Sequence, residues 1–314
     1  MKSPVLSILF LLISVTLLAV PNDFRFRHFS VEDGLSSNSV RAIMQDKYGF
    51  LWIGTEEGLN RYDGIMIKSY SICPQAAGKY ISSLYGTKKN IWIGTDEGIY
   101  IYAYATETFT YFDLTTPNNV RITSIVNHIL QDKDGNLWFS TNGQGLFRYN
   151  LSKNYLEQYE FTSAFGIVAS TMADSDNQIW ALTNQGESGV YKLNKAENKF
   201  EPFGLLYNAG NHHSQALAML EDSEQTLWLG TWECGLQKID KYTRQTTTYL
   251  HPTDGKGVTH IHSLMEYAPH QLLIGSDDGL LLFNTLTEEY KLFTENETVP
   301  NSLSNRFVYP IIKD

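Results

Sequence analysis

Residues 46–59 read Asp46-Lys-Tyr-Gly-Phe-Leu-Trp52-Ile-Gly-Thr-Glu-Glu-Gly58-Leu, and variants of this phrase recur along the rest of the chain. The later copies are centred on Trp92, Trp138, Trp180, Trp228 and Leu273, so successive anchors lie 40, 46, 42, 48 and 45 residues apart. A period of this length is typical of four-stranded propeller blades and is too long for most helical repeats. The repeat therefore predicts an all-β fold, a β-propeller of four-stranded blades.

The third repeat illustrates how one period builds one blade. Segments in which apolar and polar residues alternate cover residues 125–130, 137–141, 145–149 and 155–159. A turn at Asp132-Lys-Asp-Gly135 joins the first two segments, with glycine where a positive φ costs little. Because a single blade cannot bury both of its faces, neighbouring blades must stack around an axis.

The recurring residues are assigned to this scaffold. We expect wide indoles to fill the gaps between blades, and the structural tryptophans are Trp52, Trp92, Trp138, Trp180 and Trp228. Recurring glycines are expected to open the third strand of each blade: Gly58, Gly98, Gly145, Gly189, Gly235 and Gly279. Asn177 replaces the turn glycine in the fourth repeat, and Leu273 replaces tryptophan in the sixth.

Comparison of the repeats separates a constant face of the first strand from a variable one. Positions twelve residues before the anchors are assigned to the core: Val40, Tyr80, Val126, Val168, Ala216 and Ile261. Positions eleven residues before the anchors vary in character: Arg41, Ile81, Asn127, Ala169, Leu217 and His262. If the first strand is the innermost of its blade, this variable column surrounds the mouth of the central channel, where a ligand would meet it.

The candidate ligand-binding residues are Arg41, Tyr80, Asn127, Trp232, His260, His262 and Tyr309. Trp232 lies outside the anchor column, in a turn where other repeats place Glu56, Asp96 or Asn142, and an exposed ring there can stack on a sugar. Packing of Trp232 against the next blade is an equally good explanation. For about half of the variable positions the alternative to ligand binding is that the side chain only fills space beside the axis.

The two ends of the repeat array resemble parts of one further blade. Residues 302–314 align without a gap with residues 34–46, and residues 24–29 resemble the fourth strands at 109–112 and 290–293. The sequence thus predicts six complete repeats and an incomplete seventh blade within a propeller spanning residues 24–314. We expect an imperfectly closed ring, from a gene product that continues beyond Asp314 or from a truncated copy.

Residues 1–20 are typical of an export signal. Lys2 forms a short basic region, and an apolar stretch leads to a small-residue cleavage site near Ala19. An uncleaved membrane anchor is the alternative, because about 20 apolar residues can span a bilayer. Either interpretation places the propeller outside the cytoplasm.

Composition argues against nucleic acid as a partner, because the formal net charge is −10 and no basic stripe offsets it. Cys73 and Cys234 belong to the first and fifth repeats. Blades that far apart would not bring the two Cα atoms within the roughly 7 Å that a disulfide needs, so two free thiols are expected.

The opening Phe29-Ser-Val-Glu-Asp-Gly-Leu-Ser-Ser-Asn-Ser-Val40, followed by residues 46–63, resembles the two-component regulator propeller repeat. The resemblance covers nearly all of the chain after the signal. In that family such repeats form the periplasmic sensor region of hybrid two-component systems, commonly two seven-bladed propellers followed by a β-sandwich, a membrane helix, a histidine kinase and a response regulator. The usual ligands there are oligosaccharides.

The resemblance implies a function and partners for this chain. It implies a non-enzymatic, periplasmic sensor that binds an oligosaccharide or other small ligand and acts with the remaining sensor half and the kinase of an inner-membrane receptor. A homodimer is expected in the full receptor. Kinase activity would lie beyond Asp314.

The repeat is also compatible with a propeller enzyme or with a structural module. A propeller resembling streptogramin lyases would need a general base and a divalent metal, for which the available imidazoles are His128, His212, His213, His260 and His262. No sialidase set of residues, phosphate loop or nucleophile elbow is present. We therefore predict no catalytic residues, no metal and no cofactor, with a lyase-like enzyme or a structural adhesion module as alternatives.

Overall fold

The computed structural model describes residues 24–72, 79–161, 166–183, 189–205, 215–251, 258–296, 298 and 301–313. These residues form six four-stranded antiparallel sheets and one short 3-10 helix, Val31–Asp33. Blade 1 contains β1 (Val40–Gln45), β2 (Leu51–Thr55), β3 (Gly58–Tyr62) and β4 (Ile67–Tyr70). Blade 2 contains β5 (Ile81–Gly86), β6 (Asn90–Thr95), β7 (Gly98–Ala103) and β8 (Thr108–Tyr111). Blade 3 contains β9 (Val126–Gln131), β10 (Leu137–Thr141), β11 (Leu146–Asn150) and β12 (Tyr155–Tyr159).

The remaining three blades repeat this order. Blade 4 contains β13 (Val168–Ala173), β14 (Ile179–Thr183), β15 (Gly189–Asn194) and β16 (Lys199–Leu205). Blade 5 contains β17 (Ala216–Glu221), β18 (Leu227–Thr231), β19 (Leu236–Ile239) and β20 (Thr246–Tyr249). Blade 6 contains β21 (Ile261–Ala268), β22 (Gln271–Ser276), β23 (Gly279–Asn284) and β24 (Tyr290–Phe293).

The blades are arranged as a propeller. Within each blade the strands pair in chain order, and the first strands of successive blades contact one another around the axis. The first strand is therefore the innermost strand, as expected. The prediction of an all-β propeller with six complete blades is confirmed.

An aspartate in the first turn explains why the motif pairs Asp and Trp at a fixed spacing. In blade 3, Asp132 Oδ1 accepts a hydrogen bond from the backbone N–H of Asn136, and Oδ2 accepts one from Trp138 Nε1 at 2.7 Å. The same carboxylate-to-indole bond recurs in blades 1, 4 and 5. One side chain thus closes the turn and satisfies a buried indole N–H, which would otherwise be costly.

Blade 2 departs from this pattern because its first turn is one residue shorter. Gln45 pairs with Leu51 in blade 1, whereas Gly86 pairs with Ile91 in blade 2. The shortened turn carries Thr87 in place of the aspartate, and Trp92 Nε1 has no hydrogen-bond partner.

The shorter turn also corrects the register read from the sequence. Ile81 is fully buried and pairs with Thr95, as Val40 pairs with Thr55, so Ile81 is the core residue. Counting residues back from Trp92 had assigned Tyr80 to the core and Ile81 to the variable column. That assignment was wrong by one residue in this blade.

Each anchor packs against the following blade. The motif tryptophans are at most 3% exposed, and apolar clusters join each one to residues of the next blade in the ring. The close packing of blades 1 and 2 also explains why a glycine stands two residues after the anchor of blade 1. A Cβ on Gly54 would lie 2.5 Å from the Ile81 side chain.

A seventh position between blades 6 and 1 is occupied by residues 301–313, here called the closing segment. The backbone N–H of Val308 donates to Ser276 O at 3.0 Å, and a Cβ on Gly275 would lie 2.6 Å from Val308 O. Val308 thus packs on blade 6 as Ile81 packs on blade 1. Among the described residues, no four-stranded sheet forms at this seventh position, in agreement with the expected imperfect closure.

The segment at residues 24–29 differs from its expected strand conformation. Phe24 and Phe26 pack against Phe293 of β24, with ring centroids 5.1 and 6.0 Å apart, but residues 24–29 have no ladder partner. The physical reason is that a fourth strand pairs with a third strand, and the described part of the chain provides none at this position.

Several expectations concern residues outside the described ranges. The proposed signal at residues 1–20, Cys73, His212 and His213 all lie there. Cys234 is buried and forms no disulfide within the described residues. In that same part of the chain, no helical segment has the length and apolar composition that a bilayer span requires.

Candidate functional site

A β-bulge in the first strand of every blade turns one side chain toward the axis. In blade 1, Val40 pairs with Thr55 and Ala42 with Gly54, which leaves Arg41 unpaired between them. The other five blades repeat this shift in register. Bulges of this kind re-aim side chains beside functional sites. With Tyr309, which follows Val308 as Arg41 follows Val40, the hub residues are Arg41, Ser82, Asn127, Ala169, Leu217, His262 and Tyr309.

These hub residues surround a cleft of about 370 Å³ at one mouth of the central channel. The cleft volume lies within the roughly 300–1,000 Å³ typical of small-molecule pockets. In addition to the hub residues, the cleft is lined by Tyr80, Asn142, Ile167 and Pro310. The channel continues below as a space of about 340 Å³ whose lining includes Ile43, Leu84, Met219, Leu264 and Ile311.

A second set of side chains, the rim residues, comes from the turn between the second and third strands. The rim residues are Glu56, Asp96, Asn142, Trp232 and Asp277. In blade 5 the backbone N–H of Trp232 donates to Gln215 O at 2.9 Å, and Glu56 and Asn142 make the corresponding bond in their blades. This bond holds these three rim residues beside the start of the first strand, close to the hub residue of their own blade.

Hub and rim residues form one continuous network across the seventh position. Arg41 donates to Glu56 Oε1 from Nε at 3.0 Å and from Nη2 at 2.5 Å, and its guanidinium lies 4.7 Å from the centre of the Tyr309 ring. The Tyr309 and His262 rings are 4.3 Å apart. The network therefore joins blade 1 to blade 6 through the closing segment.

The network continues from blade 6 to blade 5 through a shared carboxylate. His262 Nε2 lies 2.7 Å from Asp277 Oδ1, and His260 Nδ1 lies 2.5 Å from Asp277 Oδ2. His260 in turn stacks on Trp232 with ring centroids 3.7 Å apart. Trp232 is 37% exposed, so one face packs on the imidazole while part of the indole remains open to solvent.

Burial and pairing set the charges in this network. Burial opposes the charge of Arg41, but hydrogen bonding, first to Glu56, outweighs it and raises the pKa of the guanidinium. The hydrogen bond from Arg41 lowers the pKa of Glu56. Burial lowers the pKa of His262, whereas burial of Asp277 is outweighed by its two histidine partners, which lower the pKa of that carboxyl. At neutral pH both carboxylates are ionised and His262 is neutral.

The other side of the cleft is less charged. Asn127, a residue of the cleft lining, donates from Nδ2 to Val168 O at 2.8 Å, and its amide oxygen is an acceptor. Ile167, Ala169 and Leu217 form an apolar arc between Asn127 and the Trp232 side. The cleft thus presents polar groups on one wall and carbon on the other.

The structure brings the candidate residues into one region. Arg41, Tyr80, Asn127, His262 and Tyr309 line the cleft, and Trp232 and His260 adjoin it through the network. Sequence reasoning missed Ser82, because of the register error, and the rim carboxylates Glu56 and Asp277. Alignment of Trp232 with Glu56 was the signal that could have identified the rim as a second column.

Asp277 carries an imidazole on each oxygen, but the cluster does not have the form of a metal centre. Among the described residues, no group of three or more His, Cys, Asp or Glu side chains is placed to hold a metal ion. The absence of a cofactor stays a prediction.

The fold and the cleft define the class: a β-propeller with a ligand-sized cleft at its hub. Residues 34–57 and 120–143 match the model of the two component regulator propeller family. These two segments thus match the two-component regulator propeller repeat, and the recognition made from the motif is confirmed.

The chain is also similar to one curated protein and to several solved structures. Histidine kinase P4 of Formosa agariphila is 26% identical over 293 residues, which are 88% of this chain and 21% of the relative. The extracellular domain of a protein described as a hybrid two component system from B. thetaiotaomicron superposes with a TM-score of 0.77 at 24% identity, over 93% of this chain and 39% of that chain. This chain therefore spans about a fifth of the length of the curated relative.

A propeller enzyme shares the fold as well. Virginiamycin B lyase from Staphylococcus aureus superposes with a TM-score of 0.62 at 15% identity, over 81% of this chain and 83% of the lyase. Identities below 25% show the fold alone, so neither structural likeness decides between binding and catalysis.

Proposed function

We propose that this propeller is a non-enzymatic, ligand-sensing domain of a hybrid two-component receptor and that it binds an oligosaccharide at the mouth of its hub. The observation that carries the proposal is the convergence of Arg41, His262 and Tyr309, from blade 1, blade 6 and the closing segment, on one cleft. Trp232 of blade 5 adjoins this cleft through its stacking on His260. A site that needs several blades to assemble suits reversible recognition.

The chemistry of the cleft suits a sugar. The C–H face of a pyranose packs against an exposed indole such as Trp232, while its hydroxyls exchange hydrogen bonds with groups such as Arg41 and Asn127. A small number of placed polar groups beside apolar surface is the usual composition of a small-molecule site.

Signalling requires parts beyond this domain. In the proposed receptor, residues 1–20 direct export and the propeller lies in the periplasm. The kinase and the remaining sensor half belong to the same inner-membrane assembly, which acts as a homodimer. A ligand shifts such an assembly only by the difference between its affinities for the two signalling states.

Calorimetry against a panel of defined oligosaccharides tests the proposal, with each mixture then analysed for cleavage products. We expect saturable binding of at least one glycan, no product, and the same affinity after treatment with EDTA. Turnover that is lost on chelation would instead identify a lyase-like enzyme. Absence of saturable binding across the panel would identify a structural module.

A further inference from the structure

Every cation described around the hub mouth already has a carboxylate partner. Arg41 is paired with Glu56, and Lys79, which precedes Tyr80 in the chain, is paired with Glu97. Both histidines of the network, of which His262 is neutral, contact the same carboxylate, Asp277. An anionic ligand would therefore have to displace a carboxylate from one of these cations, or bind to a cation whose charge is already largely neutralised.

The balance of charge around the mouth is negative. Asp96 acts electrostatically on Tyr80, a residue of the cleft lining. The permanent cations Arg41 and Lys79 are thus outnumbered by carboxylates of the same region, namely Glu56, Asp96, Glu97 and Asp277. Like charges brought together in a partly desolvated site are strongly unfavourable.

Hydrogen-bonding capacity remains although the cations are paired with carboxylates. A guanidinium has five N–H donors, and Glu56 accepts from two nitrogens of Arg41. A carboxylate such as Asp277 accepts from ligand hydroxyls as well as from histidine. These groups can bind ligand hydroxyls, while the excess of carboxylates disfavours an anionic ligand.

We propose that the hub mouth discriminates against anionic ligands: it accepts neutral oligosaccharides and rejects those that carry uronate or sulfate groups, with Glu56 and Asp277 as the specificity-determining residues. This inference rests on the proposed function, because it narrows the ligand class of the same cleft. In blades 1 and 6 the carboxylate of the rim residue pairs with the hub residue of the same blade, and this pairing produces the selectivity.

A glycan array with neutral, uronate-bearing and sulfated oligosaccharides, probed with the wild-type protein, gives the first test. We expect the bound glycans to be neutral. An acidic glycan as the best ligand would overturn this inference and leave the proposed function intact. Failure of every glycan to bind would overturn both.

A charge variant gives the second test. The best neutral ligand is compared with the same glycan oxidised at C6 to the uronate, using wild type, Glu56→Gln and the control Glu57→Gln, whose side chain is exposed in the same turn. Wild type and Glu57→Gln are expected to bind the oxidised glycan at least roughly tenfold more weakly than the neutral one. Glu56→Gln should reduce that ratio about tenfold. An unchanged ratio in Glu56→Gln, with the fold verified by circular dichroism, would contradict the role of Glu56.

Discussion

At the scale of single residues, the motif is a set of hydrogen bonds as much as a set of apolar contacts. The aspartate that begins the first turn and the tryptophan six residues later form one buried unit in blades 1, 3, 4 and 5. The recurrence of the aspartate and of the tryptophan is visible in the sequence of this chain. Their bond is not, because spacing does not show where a carboxylate points.

Replacement of Asp132 by alanine should be costly. The substitution leaves the buried Trp138 indole and the Asn136 backbone N–H without an acceptor, and we expect the free energy of unfolding to fall by about 3 kcal/mol. Urea denaturation measures the change. Asp134→Ala removes an exposed carboxylate from the same turn together with its surface hydrogen bond from Asn177, and should cost no more than about 1 kcal/mol. Equal losses in the two variants would refute this role.

His128 should make stability sensitive to acid. Burial lowers its pKa from 6.5 to about 4, and Nδ1 has no hydrogen-bond partner. The pKa of His128 is lower in the folded state than in the unfolded state. Its contribution to the free energy of unfolding is therefore fully present above pH 6.5 and is lost as the pH falls toward 4. The loss amounts to about 3 kcal/mol. Urea denaturation of wild type and His128→Gln between pH 7.5 and 4.5 should show a shallower pH dependence in the variant, and identical slopes would be inconsistent with this account.

At the scale of structural elements, the blade boundaries followed from the repeat period, but the local register did not, and the innermost position of the first strand was a supposition that the structure confirms. A β-bulge places each hub residue, and neither alternation nor spacing reveals a bulge. The missing residue in the first turn of blade 2 displaced Tyr80 and Ile81 by one position. Pairings between hub and rim residues join a bulge in the first strand to the turn after the second strand, 15 residues later. Spacing does not show that these two side chains point toward each other, which explains why Glu56 and Asp277 were missed.

The stabilising effect of residues 24–29 on blade 6 can be tested by mutation. Phe24 and Phe26 cover the cluster around Leu273, the blade 6 anchor that lacks an indole. Replacement of both by alanine should lower the free energy of unfolding by about 2 kcal/mol, since both rings are partly buried.

Hydrogen exchange locates this effect. The double variant should lose protection in β24 while blades 2 to 4 stay protected, because each blade contacts only its neighbours. Phe307→Ala removes a ring that is 46% exposed in the closing segment and serves as the control. Uniform loss of protection in all blades would show that residues 24–29 do not act locally.

At the scale of the whole molecule, the ring brings residues from blades 1, 5 and 6 and from the closing segment into one network. Sequence comparison between repeats identified most of the members, because the scaffold leaves the hub column free to vary. It could not show that they touch, since contact depends on ring closure. The proposed sensor function depends on that closure.

The most direct test of the hub mouth as the binding site is calorimetric titration of Trp232→Ala with the best glycan of the panel. Tyr242→Ala is the matched control, because Tyr242 is an aromatic residue of the same blade, 85% exposed in the turn after β19 and outside the cleft. The account predicts that Trp232→Ala weakens binding at least tenfold, or about 1.4 kcal/mol, while Tyr242→Ala binds as wild type does. Wild-type affinity in Trp232→Ala would contradict the assignment of the site.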